Sequence, residues 1–215
     1  MPDYKFTGDE LTRLAHKAEE LVLKVESLKK KIRVILYGSY LPSKEGINFL
    51  ENVKNELIKR GYTQTLLVKD IEGKIRRTYN IDQIISKLNE EIRKKVKNFL
   101  VSINSFYYGD FLIFIFTKVP LALHLSGVLI ELCFYIQLNH KLSDKHALVM
   151  VERELESKVS SLFIGMLEYY KHKLYYSYFD DLEDCVEIID SFIAKRLEEI
   201  CVEEQNCFPH QHYCL

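Results

Sequence analysis

Apolar residues recur along this chain with two alternating periods. From Asp9 to Lys31, the residues Leu11, Leu14, Ala15, Ala18, Leu21, Val22, Val25 and Leu28 keep helical spacing, with Glu and Lys between them. This predicts an amphipathic helix capped at Thr7 or Asp9. Its stripe is long enough either to cover the body of a domain or to pair with a second subunit. Ile32 to Tyr37 then reads as a buried strand closing at Gly38-Ser39, followed by a helix from Lys44 to Arg60 that stops at Gly61. Thr63 to Lys69 gives a second strand. Ile81, Ile84, Ile85, Leu88, Ile92, Val96 and Phe99 mark one face of a long helix, with Lys87, Arg93, Lys94 and Lys97 on the other. Asp110 to Thr117 is a third strand, Ser126 to His140 its following helix, and Ala147 to Val151 a fourth strand. Leu174 to Phe179 can form a fifth. The last helix runs from Asp180 to about Cys201, with Val186, Ile189, Ile193, Leu197 and Ile200 at helical spacing.

Strands that alternate with helices imply parallel βαβ units, right-handed crossovers and helices on both faces of one sheet. The expected fold is therefore α/β, a three-layer flavodoxin-like domain with a parallel five-stranded sheet in the order 2-1-3-4-5. An additional N-terminal helix occupies residues 1–31, the α/β domain residues 32–200, and a Cys/His-containing tail residues 201–215. In that strand order the direction of winding reverses between the first and third strands, and ligands bind outside the strand ends at such a point. The Gly38-Ser39-Tyr40 loop and the Ser126 to Glu131 segment should meet there. Asp70, at the end of the second strand, is a further candidate for the pocket, whereas Asp110 opens its strand at the opposite edge and should be structural.

The chain has 215 residues, 47% of them hydrophobic and 28% charged, with a formal net charge of −1. That excludes a disordered chain and removes any global electrostatic case for nucleic acid. Met1-Pro-Asp-Tyr-Lys5 lacks the basic-then-apolar pattern of a secretory signal, so a cytoplasmic protein with reduced cysteines is expected. Val119 to Leu138 is nearly apolar over about the 20 positions a membrane span requires. Pro120, His124 and Glu131 inside it fit a buried strand end plus a core helix better, so no membrane partner is expected.

Chemistry is concentrated around the third strand. A helix N-terminus presents free backbone N–H groups that favour anions, and Gly127 would let a ligand come close. Glu131 lies in the second turn, where it can point into the crevice or against the neighbouring layer. The order of elements, together with Gly38-Ser39 after the first strand, Ile47-Asn-Phe-Leu-Glu-Asn-Val53 with Gly61-Tyr62, Asp110, and Ser126-Gly-x-x-x-Glu131, resembles the nucleoside 2-deoxyribosyltransferase-like and TIR-like families. The resemblance covers roughly residues 32–200. It implies an N-glycoside-processing enzyme of the deoxyribosyltransferase, nucleoside hydrolase or NAD-glycohydrolase type. In it Glu131 would attack the anomeric carbon or stabilise an oxocarbenium-like transition state, with Gly38, Ser39, Tyr40, Asp70, Ser126 and Gly127 shaping the ligand site. The deoxyribosyltransferase pattern puts an aspartate just before Ser-Gly. Here Leu125 stands in that place with His124 before it, and His124 can donate a proton near neutrality. The alternative is a non-catalytic nucleotide-sensing or assembly module on the same fold, a homo-oligomer built through the N-terminal helix.

The tail gathers Cys201, Cys207, His210, His212 and Cys214. Zinc accepts such ligands, but the spacing matches no established finger, so zinc, a disulfide or intersubunit bridge, and an incidental tail all stay open. No phosphate loop, dinucleotide fingerprint, His-Glu-x-x-His pair or Gly-x-Ser-x-Gly elbow is present, which removes ordinary P-loop hydrolysis and dinucleotide oxidoreduction. No cofactor is expected. The 14 tyrosines could stack bases, yet without a basic stripe they belong at packing interfaces.

Overall fold

A computed structural model describes residues 7–38, 44–118, 125–138, 141–142, 144–156, 161–170 and 174–207. Five strands, β1 (Arg33–Tyr37), β2 (Gln64–Leu67), β3 (Phe111–Phe116), β4 (His146–Glu152) and β5 (Tyr175–Phe179), form one sheet in the order β2-β1-β3-β4-β5. Every pairing is parallel, with Val34 opposite both Thr65 and Phe111. The expected flavodoxin-like order is therefore the observed one, with the reversal of winding between β1 and β3.

The helices among the described residues are α1 (Gly8–Lys29), α2 (Lys44–Lys59), α3 (Val68–Thr78), α4 (Ile81–Ile85), α5 (Glu90–Tyr108), α6 (Leu125–Leu138), α7 (Ser161–Tyr169) and α8 (Leu182–Cys207). Strand side chains alternate between two apolar layers, as the two-residue period of a pleated strand requires. Val34, Leu36, Phe111, Ile113, Ile115, Leu148 and Met150 pack with residues of α1, α2 and α8, such as Val25, Leu50, Val53, Ile189 and Ile193. Ile35, Tyr37, Leu112, Phe114, Phe116, Val149 and Val151 pack with residues of α3 to α7, such as Ile71, Val101, Phe106, Leu132 and Leu167. Among the described residues no helix is long and apolar enough to cross a membrane, and α6 takes up residues 125–138 of the apolar stretch.

Three parts differ from the sequence reading. The single long helix expected through Ile81 and Phe99 is two helices, because α4 stops at Ile85 and Asn89 starts α5 afresh by accepting the Ile92 N–H at 3.0 Å, while Asn80, in a left-handed conformation (φ 48°), separates α4 from α3. Ile84, Ile92 and Phe99, expected on a buried face, are exposed. Second, β2 ends at Leu67 and passes straight into α3, whose buried stripe is only Val68, Ile71 and Ile75 among charged residues. Third, the closing helix continues past Cys201 to Cys207, so the start of the expected tail is helical, and α7 and a single 3-10 turn at Arg153–Leu155 occupy a stretch in which no element was foreseen.

Ionic contacts fix both edges of the sheet. At the start of β3, the Asp110 carboxylate accepts the Arg33 backbone N–H at 2.8 Å and the Arg33 guanidinium at 3.3 Å, and Asp110 N–H donates to the Arg33 carbonyl. At the opposite edge, Glu152 accepts the Lys118 N–H at 2.6 Å, and the Lys118 ammonium lies 2.8 Å from Glu154. Asp110 thus has the structural part expected of a residue at the N-terminal edge.

Candidate active site

The level at which Glu131 sits follows from a chain of contacts. α5 ends beside the first residue of β1, where Asp110 meets Arg33, while Ser105 on α5 touches Tyr37, the last residue of β1. Ser102, one turn earlier on α5, therefore stands at the C-terminal edge of β1, and its hydroxyl donates to Glu131 Oε1 at 2.7 Å. Glu131 is half-buried between α5 and α6 at that edge, beside the reversal of winding.

A continuous polar chain runs through this seam. The buried Ser105 hydroxyl donates to the Ser102 carbonyl at 2.6 Å, so it accepts from the Tyr37 hydroxyl at 2.7 Å. Tyr37 stacks on Phe114 with ring centroids 4.7 Å apart, and Phe106 and Tyr135 close the apolar floor. The buried tyrosine and carboxyl are therefore held by hydroxyls, which accommodate either protonation state of the acid.

Burial pushes the Glu131 carboxyl up to about 7, against the Ser102 hydrogen bond, which pulls it down. Both forms of the acid are then populated near neutrality, as proton transfer or a strongly basic carboxylate nucleophile requires. Tyr135, one turn further along α6, is buried with a hydroxyl that has no hydrogen-bond partner among the described residues. Burial, then the negative charge of Asp144, pushes it up to about 12.

The other expected site residues divide into three groups. Gly38 is buried at the end of β1, and a Cβ there would lie 2.6 Å from the Leu50 side chain of α2. Its lack of a side chain serves helix packing. Gly127 is exposed with open space where a Cβ would go, so packing makes no demand on it. Asp70 is engaged by its own chain: its carboxylate accepts the Leu67 N–H at 3.1 Å and the Lys54 ammonium at 2.7 Å, closing the start of α3. Burial raises the Asp70 carboxyl, and these two donors outweigh it to leave it below the usual range. Ser39, Tyr40 and His124 lie outside the described residues, as does the Ser126 side chain, although Ser126 is in the first turn of α6.

Of the tail residues, Cys201 lies on α8 and is buried in the apolar layer shared with α1. Cys207 ends α8 with its side chain outside the described atoms, and His210, His212 and Cys214 lie outside the described residues. Among the described residues no three His, Cys, Asp or Glu side chains converge as a metal-ion site.

Ser102 and Ser105 escaped the sequence reading. Their signal was there as two serines spaced by three in the apolar C-terminal half of an amphipathic helix, between Leu100 and Phe106. Comparison of the chain with protein-family models, with curated proteins and with solved structures gives no match.

Proposed function

We propose that the protein processes N-glycosides, with Glu131 as its central acid and a nucleoside or nucleotide as substrate. The observation that carries the reading is the half-buried Glu131 carboxyl at the C-terminal edge of the sheet, held by Ser102 and raised to about 7. This is the position where ligands bind in open α/β sheets of this order, and the resemblance to nucleoside 2-deoxyribosyltransferase-like and TIR-like proteins names the chemistry that such a glutamate performs.

In the ionised form, Glu131 attacks the anomeric carbon of the sugar. The C–N bond breaks, its electron pair leaves with the base, and the base takes a proton from His124 or solvent. Water or a second base then releases the sugar from the glycosyl ester. If Glu131 does not attack, its negative charge stabilises the oxocarbenium ion at the same carbon.

The test is to incubate the protein with nucleosides, deoxynucleosides, nucleotides and NAD and follow free base by chromatography, with Glu131→Gln beside it. Release by the wild type and none by the variant is expected. A wild type silent across the panel, or a variant as active as the wild type, would overturn the reading. One observation favours a second reading, a binding module without turnover: among the described residues Ser102 is the one side chain that acts on the Glu131 carboxyl, and no second acid among them does so. A nucleotide that binds equally to wild type and Glu131→Gln, with no base released, is the result it expects.

A further inference from the structure

Two serines of α5 use their hydroxyls in opposite ways. A serine inside a helix commonly turns its hydroxyl back to a carbonyl of the preceding turn, and Ser105 does so, donating to the Ser102 carbonyl at 2.6 Å. Ser102 instead sends its hydrogen across to α6, where Glu131 Oε1 accepts it at 2.7 Å. A hydroxyl has one hydrogen, so Ser102 gives its only donor to the acid.

The surroundings leave this contact to act alone. α6 carries the buried Val128, Leu132 and Tyr135, and Phe99 of α5 meets Phe134 of α6 with ring centroids 4.8 Å apart. Among the described residues no charged or titratable group acts on the Glu131 carboxyl from α5, from β3 or from α6 itself. The last torsion of a glutamate is broad and nearly twofold, so the chain of Glu131 does not select the plane of its own carboxyl. Ser102 does, and with Oε1 held, Oε2 is the oxygen left for a ligand. The turn that carries Ser102 is tied to the sheet in its place, since Ser105 accepts the hydroxyl of Tyr37, which is stacked on Phe114 of β3.

We propose that Ser102 is the positioning residue of this site, holding Oε1 of Glu131 so that Oε2 meets the anomeric carbon, a role that rests on the N-glycoside reading. Oε2 forms the new C–O bond while the C–N bond breaks, and the electron pair leaves with the base, which takes a proton from water. Oε1 becomes the carbonyl oxygen of the glycosyl ester. The hydroxide left by that proton transfer then takes the sugar from the ester and restores the carboxylate. Ser102 keeps its proton throughout. Its bond to Oε1 is strongest while the carboxylate carries charge, so it favours the ionised acid before attack and the return to carboxylate afterwards.

The test is base release from nucleosides, deoxynucleosides, nucleotides and NAD, followed between about pH 5 and pH 9 for the wild type, Ser102→Ala, Ser102→Thr and Asn104→Ala. The wild-type kcat/KM should rise along an acid limb centred near 7 as Glu131 ionises. In Ser102→Ala the limb should move to higher pH, and at the alkaline plateau kcat should fall by about two- to tenfold with KM little changed. Alanine is a better helix former than serine, so this variant keeps its fold. Ser102→Thr retains the hydroxyl and should bring limb and kcat back toward the wild type. Asn104→Ala removes a hydrogen bond elsewhere on α5, from the Asn104 side chain to the Leu100 carbonyl at 2.8 Å, and should move neither. A limb that stays in place in Ser102→Ala, one that moves equally in Asn104→Ala, or a Ser102→Thr that behaves as Ser102→Ala would overturn the role of Ser102 and leave the N-glycoside reading standing. A wild type that releases no base from any of these compounds would overturn both.

Discussion

Ser102 on α5 donates to the Glu131 carboxyl on α6 at 2.7 Å, one helical turn from the serine that receives the Tyr37 hydroxyl. An acid, two serines and a tyrosine thereby connect the end of the first strand to the helix that follows the third. The contact joins the two elements flanking the reversal of strand order, so any change in how α5 and α6 pack is felt at the carboxyl.

Glu131 makes stability depend on pH with a definite sign. Its folded-state value is raised to about 7, so the stability it contributes is full below the ordinary carboxylate range, declines as pH rises, and is gone once pH passes about 7. Glu131→Gln removes this titration. The variant should match the wild type near pH 4.5 and exceed it by about 2 kcal/mol at pH 8, measured by urea unfolding at the two pH values. Equal stability at both would mean that the carboxyl titrates in the ordinary range.

Ser102→Ala takes away the hydrogen bond that pulls the Glu131 carboxyl down, leaving burial to act alone. Its titration should move above 7, read from the carboxyl carbon shift in a 13C-glutamate-labelled sample. A downward shift, or none, would show that the serine does not engage the acid in solution.

Two glycines expected to shape the pocket should respond oppositely. Gly38→Ala forces a Cβ to within 2.6 Å of Leu50, which is itself buried in the core, so it should cost about 1–3 kcal/mol. Gly127→Ala meets nothing within 4 Å and lies inside a helix, so it should stabilise by about 0.5–1 kcal/mol. Thermal unfolding reads both. If Gly127→Ala is stabilised as expected yet loses ligand or activity, the glycine is kept for a molecule that approaches α6.

Tyr135→Phe deletes a buried hydroxyl with no hydrogen-bond partner among the described residues. Relieving that desolvation should leave stability unchanged or raise it by up to about 1 kcal/mol in urea unfolding. A loss of the same size would reveal a partner for this hydroxyl.

The sheet was legible in the sequence because continuous apolar runs such as Phe111 to Phe116 can be satisfied only by burial on both faces, and the helices between them set the parallel order. α3 was not, because Val68, Ile71 and Ile75 are too few among charges to stand out. The break before α5 was hidden for the opposite reason: helical spacing persists through Leu88 although Asn89 starts a new helix. Glu131 could be placed on the helix after the third strand from its spacing alone. Its partner could not, because a serine in an amphipathic helix gains meaning only when the facing helix is known. Asp70 is ambiguous for a related reason, since a carboxylate at a strand end suits a ligand and a helix start equally well, and here it holds the start of α3.

Asp110 and Arg33 are engaged at backbone as well as side chain, and this gives their contact a part that distance from Glu131 would not suggest. The Asp110 carboxylate grips the N–H of one particular residue of β1, so it works as a key for strand alignment. A slip of β1 by one residue would turn all its side chains to the wrong layer. Tyr37 would then face α2 and α8, and Ser105 would lose its donor. The alignment of the carboxyl seam at one edge of the sheet is thus guarded by an ion pair at the other.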